Sequence, residues 1–271
     1  MKWFRKGFGV TCIGLAGSIA IICQSAVLSQ EVSPIAKAFT VRVDAPGDGD
    51  GSGVLVAQNG NTYYVLTAWH VVSTPDIYTV YTPDSRAYGV DFSNVERIAD
   101  YDLAVLKFNS VYDYELASIS RESPVPNQPV SVSGWLNPLI EITSTTYQFI
   151  SGTLTGYADP PEAGGYSLVF STPGAFQGMS GGPVLDEDNK VIGTIGQGVR
   201  NIQGGVGLYL GIPISAFLSS RYSEYLQGSQ YVKPGDLCLD AFCPPVNDPP
   251  DISSPTNIYT PDQGEAPRIS R

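Results

Sequence analysis

Gly178-Met179-Ser180-Gly181-Gly182-Pro183 surrounds one serine with small residues. Glycine permits the tight turn that exposes a hydroxyl and turns backbone N–H groups inward. On its own such a stretch reads equally well as an ordinary glycine-rich turn. Two stretches upstream change its weight. Leu66-Thr67-Ala68-Trp69-His70-Val71-Val72 places the only histidine of the chain at the end of an apolar strand, or just beyond it. Tyr101-Asp102-Leu103-Ala104-Val105-Leu106 puts an acid directly before a continuous apolar strand. A serine, a histidine and an acid are the residue types of an activated hydroxyl nucleophile.

Around these stretches the chain reads as β structure. Short runs rich in Val, Ile, Tyr and Thr recur between Gly, Pro, Asn and Asp clusters: Val54–Ala57, Tyr63–Thr67, Ile77–Tyr81, Leu103–Phe108, Val130–Ser133, Gln148–Thr155, Ser167–Ser171, Val191–Ile195 and Leu208–Ile212. Such spacing predicts an all-β barrel or sandwich. Helical periodicity begins only at Ser215, which would cap a helix carrying Phe217, Leu218, Tyr222, Tyr225 and Leu226 on one side and ending at Gly228. A polar, Pro-marked stretch from Ser118 to Pro129 divides the β region into two similar halves. The expected organisation is a leader over 1–29, β halves over 35–118 and 129–228, a linker over 119–128, and a Pro-rich tail over 229–271. The tail lacks the large apolar residues that would offset its ordering entropy and reads as largely disordered.

Lys2, Arg5 and Lys6 precede an uncharged, mostly apolar run from Gly7 to Val27. That is the layout of a secretory signal peptide, with small residues at its end for cleavage. The same run is long enough to span a bilayer if retained as an anchor. Removing residues 1–29 takes away three bases and no acid, so 12 basic against 26 acidic side chains leave a charge of −14. Such a surface repels phosphate backbones and argues against nucleic-acid partners. The mature chain keeps Cys238 and Cys243, and a C-x₄-C pair in an exported protein suggests a local disulfide. One histidine excludes a multi-histidine zinc site, and neither a metal nor another cofactor is expected. Asp48-Gly49-Asp50-Gly51-Ser52-Gly53 partly fits the start of a calcium loop. Its twelfth position is Asn59 rather than a bidentate Glu, which favours a polar turn feeding a strand.

Order then separates the serine-hydrolase folds. Gly178-x-Ser180-x-Gly182 also satisfies the nucleophile elbow of α/β-hydrolases, but that fold needs its histidine after the serine. No histidine follows Ser180, and no strand–helix alternation surrounds it. His, then Asp, then Ser is the order of the chymotrypsin-like β-barrels. Thr67-Ala68-Trp69-His70, Asp102-Leu103-Ala104-Val105-Leu106 and Gly178-Met179-Ser180-Gly181-Gly182-Pro183 resemble the three signature blocks of trypsin-like serine peptidases. Their spacing resembles bacterial HtrA-type and glutamyl-endopeptidase-type members. Gly51-Ser52-Gly53-Val54-Leu55-Val56 resembles the strand before the histidine block, and Gln128-Pro129-Val130-Ser131-Val132-Ser133-Gly134-Trp135 the strand opening the second barrel. Gly211-Ile212-Pro213-Ile214-Ser215 resembles the entry to the closing helix.

The resemblance implies two six-stranded antiparallel barrels with the site between them. It implies His70, Asp102 and Ser180 as the triad, and the backbone N–H groups of Gly178 and Ser180 as the oxyanion hole. Strand period alone does not choose between Asp100 and Asp102; the resemblance chooses Asp102. Met179 stands where animal trypsins carry the acid that pairs with a freed amino terminus, so activation by a second cut is not expected. The hydroxyl that commonly supports the acid would fall near Thr194 or Gly196. Gly174 and Ala175 would floor the specificity pocket, Gly198 and Gly207 would wall it, and Gln177 would sit at its rim. With no acid at that floor, an apolar or small side chain is expected before the scissile bond. The implied activity is that of an exported serine endopeptidase acting on polypeptides. A silent binding protein on the same fold, or an esterase or amidase using the same triad, are the alternatives. About 45 residues follow the closing helix, too few for an HtrA-type binding domain. The sequence leaves oligomeric state open.

Overall fold

The computed structural model of the protein describes residues 34–47, 49–138, 144–174, 177–199 and 207–226. All lie in one compact unit spanning Val32–Arg271. The expected leader, Cys238, Cys243 and the Pro-rich tail fall outside these residues, as does Ala175.

A short helix, α1 (Pro34–Phe39), leads into seven strands: β1 (Thr40–Asp44), β2 (Gly51–Asn59), β3 (Thr62–Ala68), β4 (Ile77–Tyr81), β5 (Ala87–Asp91), β6 (Val95–Arg97) and β7 (Leu103–Asn109). They form one antiparallel sheet in the order β5-β4-β1-β2-β3-β7-β6. β2, β3 and β7 are buried over most of their length. Their continuous apolar runs therefore pay no penalty on either face. β2 and β3 join through a two-residue hairpin loop in which Gly60 takes a positive φ of 57°, the conformation such tight loops need.

The count of seven rather than six strands has a local cause. A single 3₁₀ turn, Phe92–Asn94, separates β5 from β6, and the Asp91 carboxylate caps it by accepting from the Ser93 N–H at 2.9 Å. β5 and β6 stand at opposite edges of the sheet, so this turn connects the two edges and rolls the sheet into a barrel-like form.

The second half is a closed six-stranded barrel in the order β10-β13-β12-β11-β8-β9. Its strands are β8 (Pro129–Leu136), β9 (Thr146–Glu162), β10 (Tyr166–Thr172), β11 (Pro183–Leu185), β12 (Val191–Val199) and β13 (Gly207–Pro213). Val132, Leu154, Leu168, Phe170, Met179 and Val184 fill its interior. The chain changes barrel around Ser118. Ala117 N–H still donates to Leu55 O at 2.8 Å, whereas Val191 N–H of β12 donates to Ser118 O at 2.8 Å.

The closing helix is shorter than its periodicity predicts. α2 covers only Ser215–Leu218, with Ile214 rather than Ser215 in the cap position, and a 3₁₀ turn follows over Arg221–Tyr225. Ser219 and Ser220 cause the break. Their hydroxyls donate back to the carbonyls of Ser215 at 2.8 Å and Phe217 at 2.6 Å, and the Ser220 hydroxyl then caps the new turn through Tyr222 N–H. Such local bonds compete with a continuous helix. The apolar side is nevertheless used as the pattern implies: Phe217, Leu218, Tyr222 and Leu226 are buried in the same core as β2, β3 and β7. Tyr225 stacks on Tyr64 at 4.8 Å. The C-terminal segment thus straps the first barrel. Full burial of Phe217 alone contributes roughly 2–3 kcal/mol.

Candidate active site

β3 and β7 pair along their whole length, ending with Ala68 opposite Leu103. One residue beyond that pair, Trp69 N–H donates to Asp102 O at 3.0 Å. His70 follows on a 3₁₀ turn, Trp69–Val71. Asp102 then holds it twice. Its Oδ1 accepts from the His70 backbone N–H at 2.7 Å, and its Oδ2 lies 2.6 Å from His70 Nδ1. An ionised carboxylate can only accept, so Nδ1 carries the proton and Nε2 is left as the basic nitrogen. The histidine side chain is 44% exposed and the aspartate only 13%. Burial works to raise the Asp102 pKa. Hydrogen bonds from His70 and Tyr166, with the His70 charge, outweigh it and hold the carboxyl below the usual carboxylate value. The rival acid, Asp100, is exposed on the turn.

Ser180 sits in the turn between β10 and β11. Gly178 has φ +97° and Gly181 φ +83°, which an L side chain rarely adopts. Space forbids one as well. A Cβ on Gly178 would lie 2.5 Å from Trp135 O, and one on Gly181 would lie 2.4 Å from Ser52 O. These glycines let the turn nest between the two barrels.

Every carbonyl from Gln177 to Ser180 is held by the protein. Gln177 O accepts from Asn137 N–H at 2.9 Å, and Met179 O from Gly182 N–H at 3.0 Å. Gly178 O accepts from the Ser52 hydroxyl at 2.8 Å, and Ser180 O from Ser52 N–H at 2.8 Å. In a planar trans peptide the N–H points opposite the preceding C=O. The N–H groups of Gly178 and Ser180 therefore point away from Asn137 and Gly182, and among the described residues neither has a protein acceptor. The Ser180 hydroxyl lies 3.4 Å from Gly196 O and is not hydrogen-bonded to His70 in this conformation. Bonds of this kind often tighten only when substrate is present.

Met179 is fully buried in the second core. The turn is fixed instead by Ser52, whose hydroxyl also accepts from Trp135 N–H at 2.8 Å.

The hydroxyl that supports Asp102 comes from neither expected position. Tyr166, the first residue of β10, donates its phenol O–H to Asp102 Oδ2. Thr194 is buried within β12, and Gly196 is the residue that makes room for the ring: a Cβ there would stand 1.8 Å from Tyr166 Cε1. Tyr166 and Ser52 are the two site residues that sequence reading missed. The local hint for the first was the Gly164-Gly165 pair before it.

Of the expected pocket residues, Gly198 on β12 pairs directly with Tyr209 on β13. A Cβ on Gly207 would lie 2.6 Å from the Tyr209 hydroxyl. The two wall positions thus meet around one aromatic ring, which stacks on Phe170 at 5.9 Å. Gly174 and Gln177 flank the serine turn, with Gln177 exposed. The segment before β2 is a polar turn: Asp50 Oδ1 accepts from Ala45 N–H at 3.1 Å. Asn59 lies at the far end of the nine-residue β2, roughly 26 Å from its start at about 3.3 Å per residue. Asp48, the first residue of the candidate calcium loop, lies outside the described residues, and those described hold no cluster of three metal-ligating side chains.

Two β barrels with a histidine–aspartate pair on one and a glycine-flanked serine on the other define a peptidase of the chymotrypsin type. The family described as "Trypsin-like peptidase domain" matches residues 51–193. The chain belongs to this family and is a serine endopeptidase. Among solved structures, it is similar to a serine-to-alanine variant of Rv3671c from Mycobacterium tuberculosis in its inactive form. Identity is 18%, covering 69% of this chain and 87% of that one, with a TM-score of 0.52. It is also similar to the apo protease domain of MamO from Magnetospirillum magneticum, at 21% identity over 69% of this chain and 97% of that one, TM-score 0.52. At these identities the likeness is one of fold. No curated protein matches the chain.

Proposed function

We propose that this endopeptidase is exported and cleaves polypeptides through an acyl-enzyme, with Ser180 as nucleophile, His70 as base and Asp102 as its orienting acid. His70 Nε2 takes the Ser180 proton as the oxygen attacks the scissile carbonyl. Asp102 keeps Nδ1 protonated and stabilises the imidazolium that forms. The oxyanion of the tetrahedral intermediate lies against the N–H groups of Gly178 and Ser180. His70 then protonates the leaving amine, which departs and leaves an ester on Ser180. Water, deprotonated by the same nitrogen, attacks that ester and frees the serine.

The observation that carries this reading is the orientation of the serine turn. The Gln177 and Met179 carbonyls are bonded away from the site, which supports an oxyanion hole formed without a second proteolytic cut. The basic, then apolar amino terminus supports export. The glycine walls around Tyr209 support a preference for an apolar or small side chain before the scissile bond.

The test is labelling with a fluorophosphonate probe beside assays on casein and a p-nitrophenyl ester. Wild-type protein should label at Ser180 and cleave casein. Ser180→Ala should lose labelling and at least about 10⁴-fold in kcat with its thermal unfolding unchanged. A wild-type protein that never labels would mark a silent scaffold, and ester turnover without casein cleavage an esterase.

A further inference from the structure

We propose that Tyr166 is the positioning residue for the triad acid, holding Asp102 from the second barrel across the seam between the two sheets. The proposal rests on the triad reading above and adds a residue to it.

Three donors converge on the Asp102 carboxylate: His70 N–H on Oδ1, and His70 Nδ1–H and the Tyr166 phenol on Oδ2. The first two come from the base that the acid must orient. Among the described residues, Tyr166 is the only donor to the carboxylate that does not itself move with the histidine. It comes from a strand 64 residues away, and its residue is 1% exposed. The backbone of Asp102 is tied to the same hairpin: Asp102 N–H donates to Gly164 O at 2.8 Å. A Cβ on Gly165 would stand 2.1 Å from the Tyr101 ring. The β9–β10 hairpin tip therefore closes over the acid with a backbone acceptor and a side-chain donor together.

Gly196 completes the arrangement. The ring of Tyr166 fills the space that any side chain at that position would need, so position 196 cannot supply the supporting hydroxyl while the tyrosine is in place. Burial, and then the Asp102 carboxylate beside it, push the phenol pKa up against a smaller opposing effect of Gln197. The phenol therefore stays a donor throughout the working range. The titratable groups acting on the carboxylate are His70 and Tyr166. Arg97 turns to the backbone carbonyls of Tyr101 and Asp100, at 2.9 and 3.1 Å.

Tyr166→Phe keeps the ring and removes only the donor. In the full chain it should lower kcat on the order of tenfold with KM within about twofold. Fluorophosphonate labelling of Ser180 should slow by the same factor. The acidic limb of kcat/KM should move to higher pH, because a carboxylate relieved of one donor holds the imidazolium more tightly. A second pair of variants does not depend on the phenylalanine enzyme: Tyr166→Leu vacates the ring, and Tyr166→Leu with Gly196→Ser returns a hydroxyl from β12. The double variant should recover part of the kcat that the single variant loses, and Tyr166→Leu with Gly196→Ala, which refills the space without a hydroxyl, should not. The proposal is overturned if Tyr166→Phe keeps both kcat and its acidic limb at the wild-type values. It is equally overturned if activity falls only in step with KM or with the folded fraction. Failure of the triad reading itself would show in the wild-type protein, as absence of Ser180 labelling.

Discussion

His70 and Asp102 stand where two paired strands of the first sheet end, and the register of Ala68 with Leu103 brings them side by side. Ser180 stands in a turn with no such ladder, bounded by two positive-φ glycines and carried between a seven-residue strand and a three-residue one. The first barrel places its residues by strand pairing. The second places its serine by borrowing partners from the first: Ser52 N–H and hydroxyl on the turn's carbonyls, and Thr67 and Ser52 packed against Gly181. The debt is mutual, since Gly164 and Tyr166 of the second barrel hold Asp102 of the first. A residue at the end of a ladder is placed by the ladder and then held by the other barrel. One on an irregular turn needs a neighbour with spare donors, and here each barrel is that neighbour.

The largest expected effect separates the turn from the ladder. Gly178→Ala forces a side chain onto a φ of +97° and within 2.3 Å of Asn137 Oδ1 and 2.5 Å of Trp135 O. The peptide between residues 177 and 178 must then rotate, and one of the two proposed oxyanion donors is lost. A loss of about 10²–10³ in kcat is expected. The His70–Asp102 pair should be untouched, so an NMR signal from the hydrogen-bonded Nδ1 proton should persist in the variant. Loss of that signal together with activity would show that the two halves of the site are not separately built.

Ser52→Ala probes the borrowed partner and should act less strongly. It strands a buried carbonyl at Gly178 and a part-buried N–H at Trp135. Each unsatisfied buried group costs about 1–3 kcal/mol, so a stability loss of about 2–4 kcal/mol is expected in urea unfolding. kcat should fall on the order of tenfold as the turn loosens. If stability falls but kcat does not, the glycines alone hold the turn, and the second barrel borrows less than the contacts imply.

What the sequence disclosed follows the same division. The continuous apolar runs of β3 and β7 announce strands, and the histidine and aspartate at their ends follow from that. β11 escapes because three residues carry no period. β5 and β6 escape because the Phe92–Asn94 turn interrupts what would be one strand. Ser215 invites a helix, yet the hydroxyls of Ser219 and Ser220 take the carbonyls that a longer helix would use. Tyr166 is marked only by the Gly164-Gly165 pair before it, being one of 16 tyrosines in the chain and far from Asp102 in sequence. Ser52 reads as part of a strand motif, and its double duty appears only when both barrels are in place. Residues acting within one element are legible in its pattern, whereas residues acting across the seam are visible only in the assembled fold.

The smallest expected effect tests the seam away from the catalytic groups. Tyr147 on β9 shares a hydrogen bond of 2.8 Å with Ser133 of β8. Ser133 in turn shares one of 2.8 Å with Thr40 of β1, whose hydroxyl also donates to Ala36 O at 2.7 Å. This buried chain of hydroxyls runs from the closed barrel to the first strand of the open one. Burial pushes the Tyr147 phenol up to about 12, against the lowering hydrogen bonds of Ser133 and Thr40. An unfolded phenol ionises near 10. Between these values the unfolded chain gives up a proton that the native one keeps, so the native state loses stability as pH rises. The contribution is fully present below about pH 10 and gone above about pH 12, and is worth up to about 3 kcal/mol at 1.36 kcal/mol per unit. Urea midpoints taken from pH 9 to 12 should fall less steeply in Tyr147→Phe than in the wild type. Tyr222, whose phenol burial and Glu96 likewise push up to about 12, leaves a residual slope from the C-terminal strap. Equal slopes in the two proteins would mean that water reaches Tyr147 and that the seam is sealed only at the triad.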